Sequence, residues 1–304
     1  MCKECGCGLP EENPAGASAH NHEAARGHSH DSDSKPGHEH EHGPGEHHGH
    51  PHSHSPSHPH GHSHEEPGHD QPSKAGVEGR RTVKVRRAIL DKNDRLAERN
   101  RGFFRARGLL VLNLLSAPGS GKTTFIREAV RMLQPQLKTA IIVGDLATDN
   151  DARRLRESGA PVVQINTGTV CHLEAGMVGR AMGQLDLNGV QLLIIENVGN
   201  LVCPASYDLG EDLRVVLLSV TEGEDKPLKY PPMFQSANVV VVSKTDLAAA
   251  CDYDRDVALA NIRRAAPKAQ VFETSAKTGA GLEAWRDFLV QQHKQGEARD
   301  PLGL

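Results

Sequence analysis

Leu109-Leu110-Val111-Leu112-Asn113-Leu114-Leu115-Ser116-Ala117-Pro118-Gly119-Ser120-Gly121-Lys122-Thr123-Thr124 decides the fold. The first seven residues are a nearly continuous apolar run, the pattern of a strand buried on both faces of a parallel sheet. The rest is a glycine-rich loop that opens into a helical pattern. In that context glycines let backbone N–H groups approach phosphate oxygens, and the helix N-terminus adds partial positive charge. Lys122 reaches the β- and γ-phosphates and the Thr123 hydroxyl ligates magnesium. Gly119, Ser120, Gly121, Lys122, Thr123 and Thr124 are therefore expected to bind a nucleotide. The loop departs from the usual pattern once, with Ser116 where a first glycine is expected.

Downstream, short apolar runs alternate with helix-like segments and place strands near 109–115, 138–144, 161–165, 191–196, 213–220, 238–243 and 269–273. This alternation predicts an α/β fold with a doubly wound, mostly parallel sheet. Pro135 and Pro267 are expected to close two helices and Gly279 to precede the last one. Trp285, Phe288 and Leu289 are expected to pack that last helix onto the sheet.

The sixth strand ends in Ser243-Lys244-Thr245-Asp246. A carboxylate at Asp246 can accept from guanine N1–H and N2–H together, a pairing adenine cannot offer, while the Lys244 stem lies against the base plane. The seventh strand leads to Ser275-Ala276-Lys277, whose backbone N–H suits guanine O6. In this order, after a phosphate loop, the two segments select GTP over ATP. Ser243 stands where such proteins usually carry Asn. Between loop and base reader, Gly144-Asp145-Leu146-Ala147-Thr148-Asp149-Asn150-Asp151 and Glu196-Asn197-Val198-Gly199 are placed to sense the γ-phosphate. Carboxylates at strand ends can hold magnesium or its waters, which makes Asp145, Asp151 and Glu196, with Thr123, the candidate magnesium set. Glu196 takes a position where Asp is usual, so it is expected to act through water. Asp149 and Asp151 can also be read as caps of the following helix.

Upstream of the loop the 304-residue chain is a different polymer. Residues 1–76 contain no Val, Ile, Phe, Trp or Tyr but 17 of the 19 His and 9 of the 18 Pro. Their 4 basic and 12 acidic residues give a formal charge of -8, against +4 for the remainder and -4 overall. Such a segment cannot bury enough apolar surface to offset its chain entropy, so it is expected to be disordered. A basic amphipathic stretch follows. Ile89, Leu96 and Phe103 recur seven apart, with Leu90, Ala97 and Phe104 one step on, which predicts a helix docking on the globular part. Its 11 Lys and Arg between Arg80 and Arg107 form a solvated face. No recognisable nucleic-acid module or cluster of stacking aromatics accompanies them, so no nucleic-acid partner is expected. No apolar run is long enough to cross a bilayer and Met1-Cys2-Lys3-Glu4 begins no signal peptide, which points to the cytoplasm and no membrane partner. There the six cysteines are thiols or metal ligands rather than a disulfide scaffold.

Cys171-His172 and Cys203 follow the two sensing segments. Two thiolates and an imidazole suit zinc or nickel, and three ligands leave the site exchangeable or completed by a symmetry mate. At the N-terminus Cys2, Cys5 and Cys7 lie beside the α-amino group, a set of three sulfurs and one nitrogen favourable for nickel in a square plane. His20, His22, His28, His30, His38, His40, His42, His47, His48, His50, His52, His54, His58, His60, His62, His64 and His69 offer many weak auxiliary metal-storage sites, on the order of four to eight ions.

Cys2-x-x-Cys5-Gly6-Cys7, Ser116 to Thr124, Thr167-Gly168-Thr169-Val170-Cys171-His172-Leu173, Glu196 to Pro204, Glu222-Gly223-Glu224-Asp225-Lys226-Pro227 and Ser275-Ala276-Lys277 together resemble the HypB family of nickel-insertion GTPases of nickel–iron hydrogenase maturation. The resemblance implies a SIMIBI-class GTPase that forms a homodimer with nucleotide and metal, works with a zinc-containing HypA-type nickel chaperone, and passes nickel to the hydrogenase large-subunit precursor. It implies that Asp151 is the switch carboxylate near magnesium and the attacking water, with Lys122 the other catalytic residue. The expected organisation is a metal site in 1–8, a disordered His-rich segment in 9–79, and a GTPase domain with its docking helix in 80–304. A passive metal store explains only residues 1–76. A urease-type nickel GTPase is expected to lack the N-terminal cysteines and to place Cys-Pro-His where this chain has Cys171-His172.

Overall fold

A computed structural model of the protein describes residues 74–134, 136–146 and 149–299. Cys2, Cys5, Cys7, the histidines from His20 to His69, Pro135, Ala147 and Thr148 lie outside the described residues. The chain order is α1 (Lys74–Ala106), β1 (Leu110–Ser116), α2 (Lys122–Leu133), β2 (Thr139–Asp145), α3 (Asn150–Arg156), β3 (Val162–Asn166), α4 (Ala175–Met182), β4 (Leu192–Glu196), β5 (Leu213–Ser219), α5 (Lys226–Lys229), α6 (Pro231–Gln235), β6 (Val239–Ser243), α7 (Arg255–Ala265), β7 (Gln270–Glu273) and α8 (Leu282–Arg299). One-turn 3-10 helices at Cys203–Ser206, Val220–Glu222 and Thr245–Leu247 follow strands β4, β5 and β6.

The strands form one seven-stranded sheet in the order β3-β2-β4-β1-β5-β6-β7, with every pairing parallel. β4 and β5 flank β1, so the chain crosses over the central strand between them and leaves a crevice at its C-terminal end. That crevice is where ligands bind in open α/β sheets. β1 is buried along its whole length because it has helices on both faces. Leu110, Leu112 and Leu114 pack with Phe125, Trp285 and Leu289 on the α2/α8 side, whereas Val111 joins Phe104 and Val178 on the α1/α4 side. Trp285 is inside and Phe288 partly covered, with ring centroids 5.6 Å apart, as the sequence predicts for the last helix. Pro267 follows the end of α7, and Gly279 precedes α8.

α1 differs from its expected form in two ways. It starts at Lys74, inside the segment expected to lack structure, and runs on into the docked part. Its covered stripe is Ile89, Leu90, Asn93, Leu96, Ala97, Asn100 and Phe104, so of the expected docking residues only Phe103 departs, 38% exposed and lying under the Arg107 guanidinium. No helix among the described residues is long and apolar enough to cross a membrane.

Candidate nucleotide and metal sites

The phosphate loop leaves β1 at Ser116 and enters α2 at Lys122. Gly119 and Gly121 adopt φ of +75° and +93°, a backbone region favourable only to glycine, which makes the tight turn possible. Ser116 takes the place of a first glycine because its side chain is used. Its Oγ receives hydrogen bonds from Ser120 Oγ at 2.6 Å and Lys122 Nζ at 3.0 Å. Lys122 is buried, which lowers its pKa, while Glu196, Asp151, Glu222 and Asp145 act in the opposite direction. Three of these four carboxylates are the acidic members of the expected magnesium set, so those side chains converge on the loop lysine. Thr123 Oγ1 donates to Glu196 Oε1 at 2.8 Å. Burial pushes Glu196 up to about 7 against the pull of Lys122 and Thr123, and its Oε2 is buried without a hydrogen-bond partner. Asp145 accepts from the Leu146 N–H at 2.6 Å. Asp149 occupies the N-cap position of α3 without a capping hydrogen bond from its side chain, and Asp151 lies in the first turn.

A cavity of about 230 Å³ opens beside the loop, lined by Ser120, Gly121, Thr124, Lys244, Asp246, Ala276 and Lys277 among others. Ser275 Oγ donates to Asp246 Oδ1 at 2.6 Å and orients the carboxylate, leaving Oδ2 for a base edge. Lys244, at φ 58°, donates from Nζ to the Gly119 carbonyl at 2.7 Å. Ser243 contributes where an asparagine is usual, donating from Oγ to the Ser120 carbonyl at 2.9 Å. The end of β6 is thereby tied to the phosphate loop from both residues.

Cys171, His172 and Cys203 come together with their ligand atoms within 4.8 Å of one another. Burial holds His172 at about pKa 4, and neither ring nitrogen has a hydrogen-bond partner. A neutral imidazole with neither nitrogen hydrogen-bonded, beside two thiols and with Glu174 Oε1 3.9 Å from Nε2, is a donor set for a borderline-soft divalent ion. Gly199, four residues before Cys203, sits against the phosphate loop so closely that a Cβ there would lie 3.1 Å from Pro118 Cα.

A parallel sheet with this loop, this base cavity and this thiol–imidazole cluster can be set beside known proteins. The model of the CobW/HypB/UreG nucleotide-binding domain matches residues 110–273. The chain is 50% identical over 217 residues to the hydrogenase maturation factor HypB of Azotobacter chroococcum, covering 71% of each chain.

The chain belongs to the HypB family.

HypB of Escherichia coli K12 is 49% identical over 217 residues, which cover 71% of this chain and 75% of that one. The crystal structure of HypB from Helicobacter pylori in complex with nickel aligns with a TM-score of 0.64 at 42% identity, over 67% of this chain and 96% of that one.

In this HypB-family chain Tyr207 was not legible as a site residue, and Asn197 and Glu222 were legible only as parts of longer motifs, without these contacts. Tyr207 stacks on His172 with ring centroids 3.9 Å apart. Asn197, next to Glu196, accepts from the Leu173 N–H at 3.1 Å and donates to Asn113 Oδ1 at 3.2 Å, joining the residue after His172 to β1. Glu222 accepts from the Ser219 N–H and is pushed up by burial against the pull of Lys226, Lys244 and Lys122. The position of Asn197 directly after Glu196 at the end of β4 was the available signal for it, whereas Tyr207 is an isolated aromatic in a loop.

Proposed function

We propose that this chain is a GTP-hydrolysing nickel metallochaperone that hands nickel to the large-subunit precursor of a nickel–iron hydrogenase. One observation carries the reading: the strand end that touches the phosphate loop through Glu196 and Thr123 continues within seven residues into Cys203 of the thiol–imidazole cluster. Nucleotide chemistry and metal ligation share one short piece of backbone.

Phosphoryl transfer needs positioning and charge neutralisation more than covalent chemistry. The loop amides and the α2 N-terminus hold the phosphates, Lys122 offsets charge on the transferring group, and Asp151 orients the attacking water. Thr123 and the unpartnered Glu196 oxygen are hard donors that fit magnesium, with Asp145 and Asp151 behind them. When bound, that ion neutralises charge on the β- and γ-phosphate oxygens. Asp246, Ser275 and Lys244 select guanine. Nickel is the cargo of Cys171, His172 and Cys203, a set that also suits zinc, and a second copy of the chain can complete it in a homodimer. Residues 1–8, with Cys2, Cys5 and Cys7, and the His-rich segment 9–79 take up and store nickel for the GTPase domain in 80–304. A HypA-type zinc-containing chaperone is the partner for the hand-off.

The test is nucleotide binding to the purified full chain. GDP should bind with at least tenfold higher affinity than ADP, and GTP should be turned over to GDP and phosphate. Equal affinity for ADP, or no turnover, contradicts the reading.

A further inference from the structure

The polar side of α1 is not solvated throughout. Asn93 and Asn100, seven residues apart on its covered stripe, are 4% and 5% exposed. Asn93 accepts from the Ala175 N–H at 2.9 Å and donates to the Asp208 carbonyl at 2.8 Å. Asn100 donates to the Ala175 carbonyl at 2.9 Å and the Leu209 carbonyl at 3.0 Å. Arg101 grips both carboxylate oxygens of Asp208, at 2.9 and 2.7 Å. Gly210 permits the approach: it has φ of +93°, and a Cβ there would lie 2.6 Å from the Ala97 carbonyl oxygen.

Ala175 lies three residues after His172, and Asp208 five after Cys203. The two ligand-bearing segments leave different strands, β3 and β4, which do not pair; Asn197 and Asn200 join them directly near the ligands, and α1 joins them again farther along. α1 holds both at once, through main-chain groups of Ala175, Asp208 and Leu209 and through the Asp208 carboxylate. Ligand geometry is sensitive to such outer supports, whose loss in metal proteins typically weakens binding 10- to 100-fold.

We infer that Asn93, Asn100 and Arg101 form a clamp by which α1 sets the geometry of the Cys171/His172/Cys203 metal site, as positioning residues for its ligands. This rests on the metal-site reading above. Both asparagines also satisfy buried main-chain groups, a structural duty that any buried amide performs. The two roles separate by experiment.

The measurement is zinc-dependent protection of each cysteine from alkylation in the full chain, resolved by peptide mass spectrometry. In Asn93→Ala and Asn100→Ala the zinc concentration that half-protects Cys171 and Cys203 should rise about tenfold or more, with protection of Cys2, Cys5 and Cys7 and binding of GDP unchanged. Arg101→Ala, at the partly exposed rim of the clamp, should raise it in the same direction but by less. Leu96→Ala removes packing against Gly176 of α4 while keeping every hydrogen-bonding side chain of the clamp, and should leave half-protection within about twofold. No shift in the three clamp variants, or an equal shift in Leu96→Ala, overturns the clamp. Failure of zinc to protect Cys171 and Cys203 in the unaltered chain overturns the metal-site reading instead, and the clamp with it.

Discussion

The Thr123 hydroxyl donates a 2.8 Å hydrogen bond to Oε1 of Glu196, joining the first turn after the phosphate loop to the end of β4. Glu196 is the last residue of that strand, and Gly199 just beyond it rests on Pro118 of the loop. Two contacts therefore connect nucleotide-binding backbone to the segment that ends in Cys203. Gly199 is separated from Cys203 by three intervening residues, 200–202, and Glu196 by six, 197–202.

Lys122→Ala should lower GTP turnover by at least about 1000-fold, because electrostatic stabilisation carries most of the catalysis in such sites. Nickel at Cys2, Cys5 and Cys7 should remain bound. Steady-state phosphate release and nickel retention on the same preparation check both parts, and undiminished turnover would show that the loop is not catalytic.

Asp246→Asn should weaken GTP binding by about 2 to 4 kcal/mol and favour xanthine nucleotides, since the amide sets a donor against guanine N1–H. The Ser275 hydroxyl that now donates to Oδ1 can satisfy the amide oxygen, so the fold should survive. Competition binding with GDP, XDP and ADP measures the change, and retained preference for GDP contradicts the assignment of this carboxylate.

All seven strands, the phosphate loop and the Cys171/His172/Cys203 cluster were legible because each depends on local pattern: a continuous apolar run, glycines before Gly-Lys-Thr, soft ligands just after strand ends. The parts that were not legible depend on contacts between distant segments. Asn93 and Asn100 read as polar residues among charges, and only pairing with residues 75 to 115 positions away shows that they belong to the buried stripe. Phe103 fits the same heptad as Leu96 yet is exposed, since the stripe turns toward Phe104. The hydrogen bond between Glu196 and Thr123 likewise joins residues 73 positions apart.

Burial holds His172 near pKa 4, below the 6.5 of an exposed imidazole. The unfolded chain takes up this proton below about pH 6.5 and the folded chain does not until near 4. The neutral ring's contribution is fully present above about 6.5 and lost as pH falls toward 4, up to about 3 kcal/mol. His172→Phe keeps a ring against Tyr207 and removes the titration. With chelator present, the melting temperature of the unaltered chain should fall further between pH 7 and 4.5 than that of the variant, and parallel falls would contradict the buried neutral histidine.

Deleting residues 20–69 should lower nickel stoichiometry by several ions and leave GTP turnover unchanged. Each imidazole site in such a segment is weak, and its use is local supply, so hydrogenase activity should suffer only when external nickel is scarce. Equal activity at limiting nickel would reduce the segment to a passenger.

The central claim is that nucleotide state sets metal affinity at Cys171, His172 and Cys203. Coupling of this kind is reciprocal and typically amounts to about 1 to 3 kcal/mol, or 5- to 150-fold in affinity. A chain beginning at Lys74 lacks the N-terminal ligands and isolates the site. Its nickel and zinc affinities, titrated with GDP and then with a non-hydrolysable GTP analogue, should differ by at least about fivefold, with the difference abolished in Cys171→Ala. The same affinity in both nucleotide states would contradict the account.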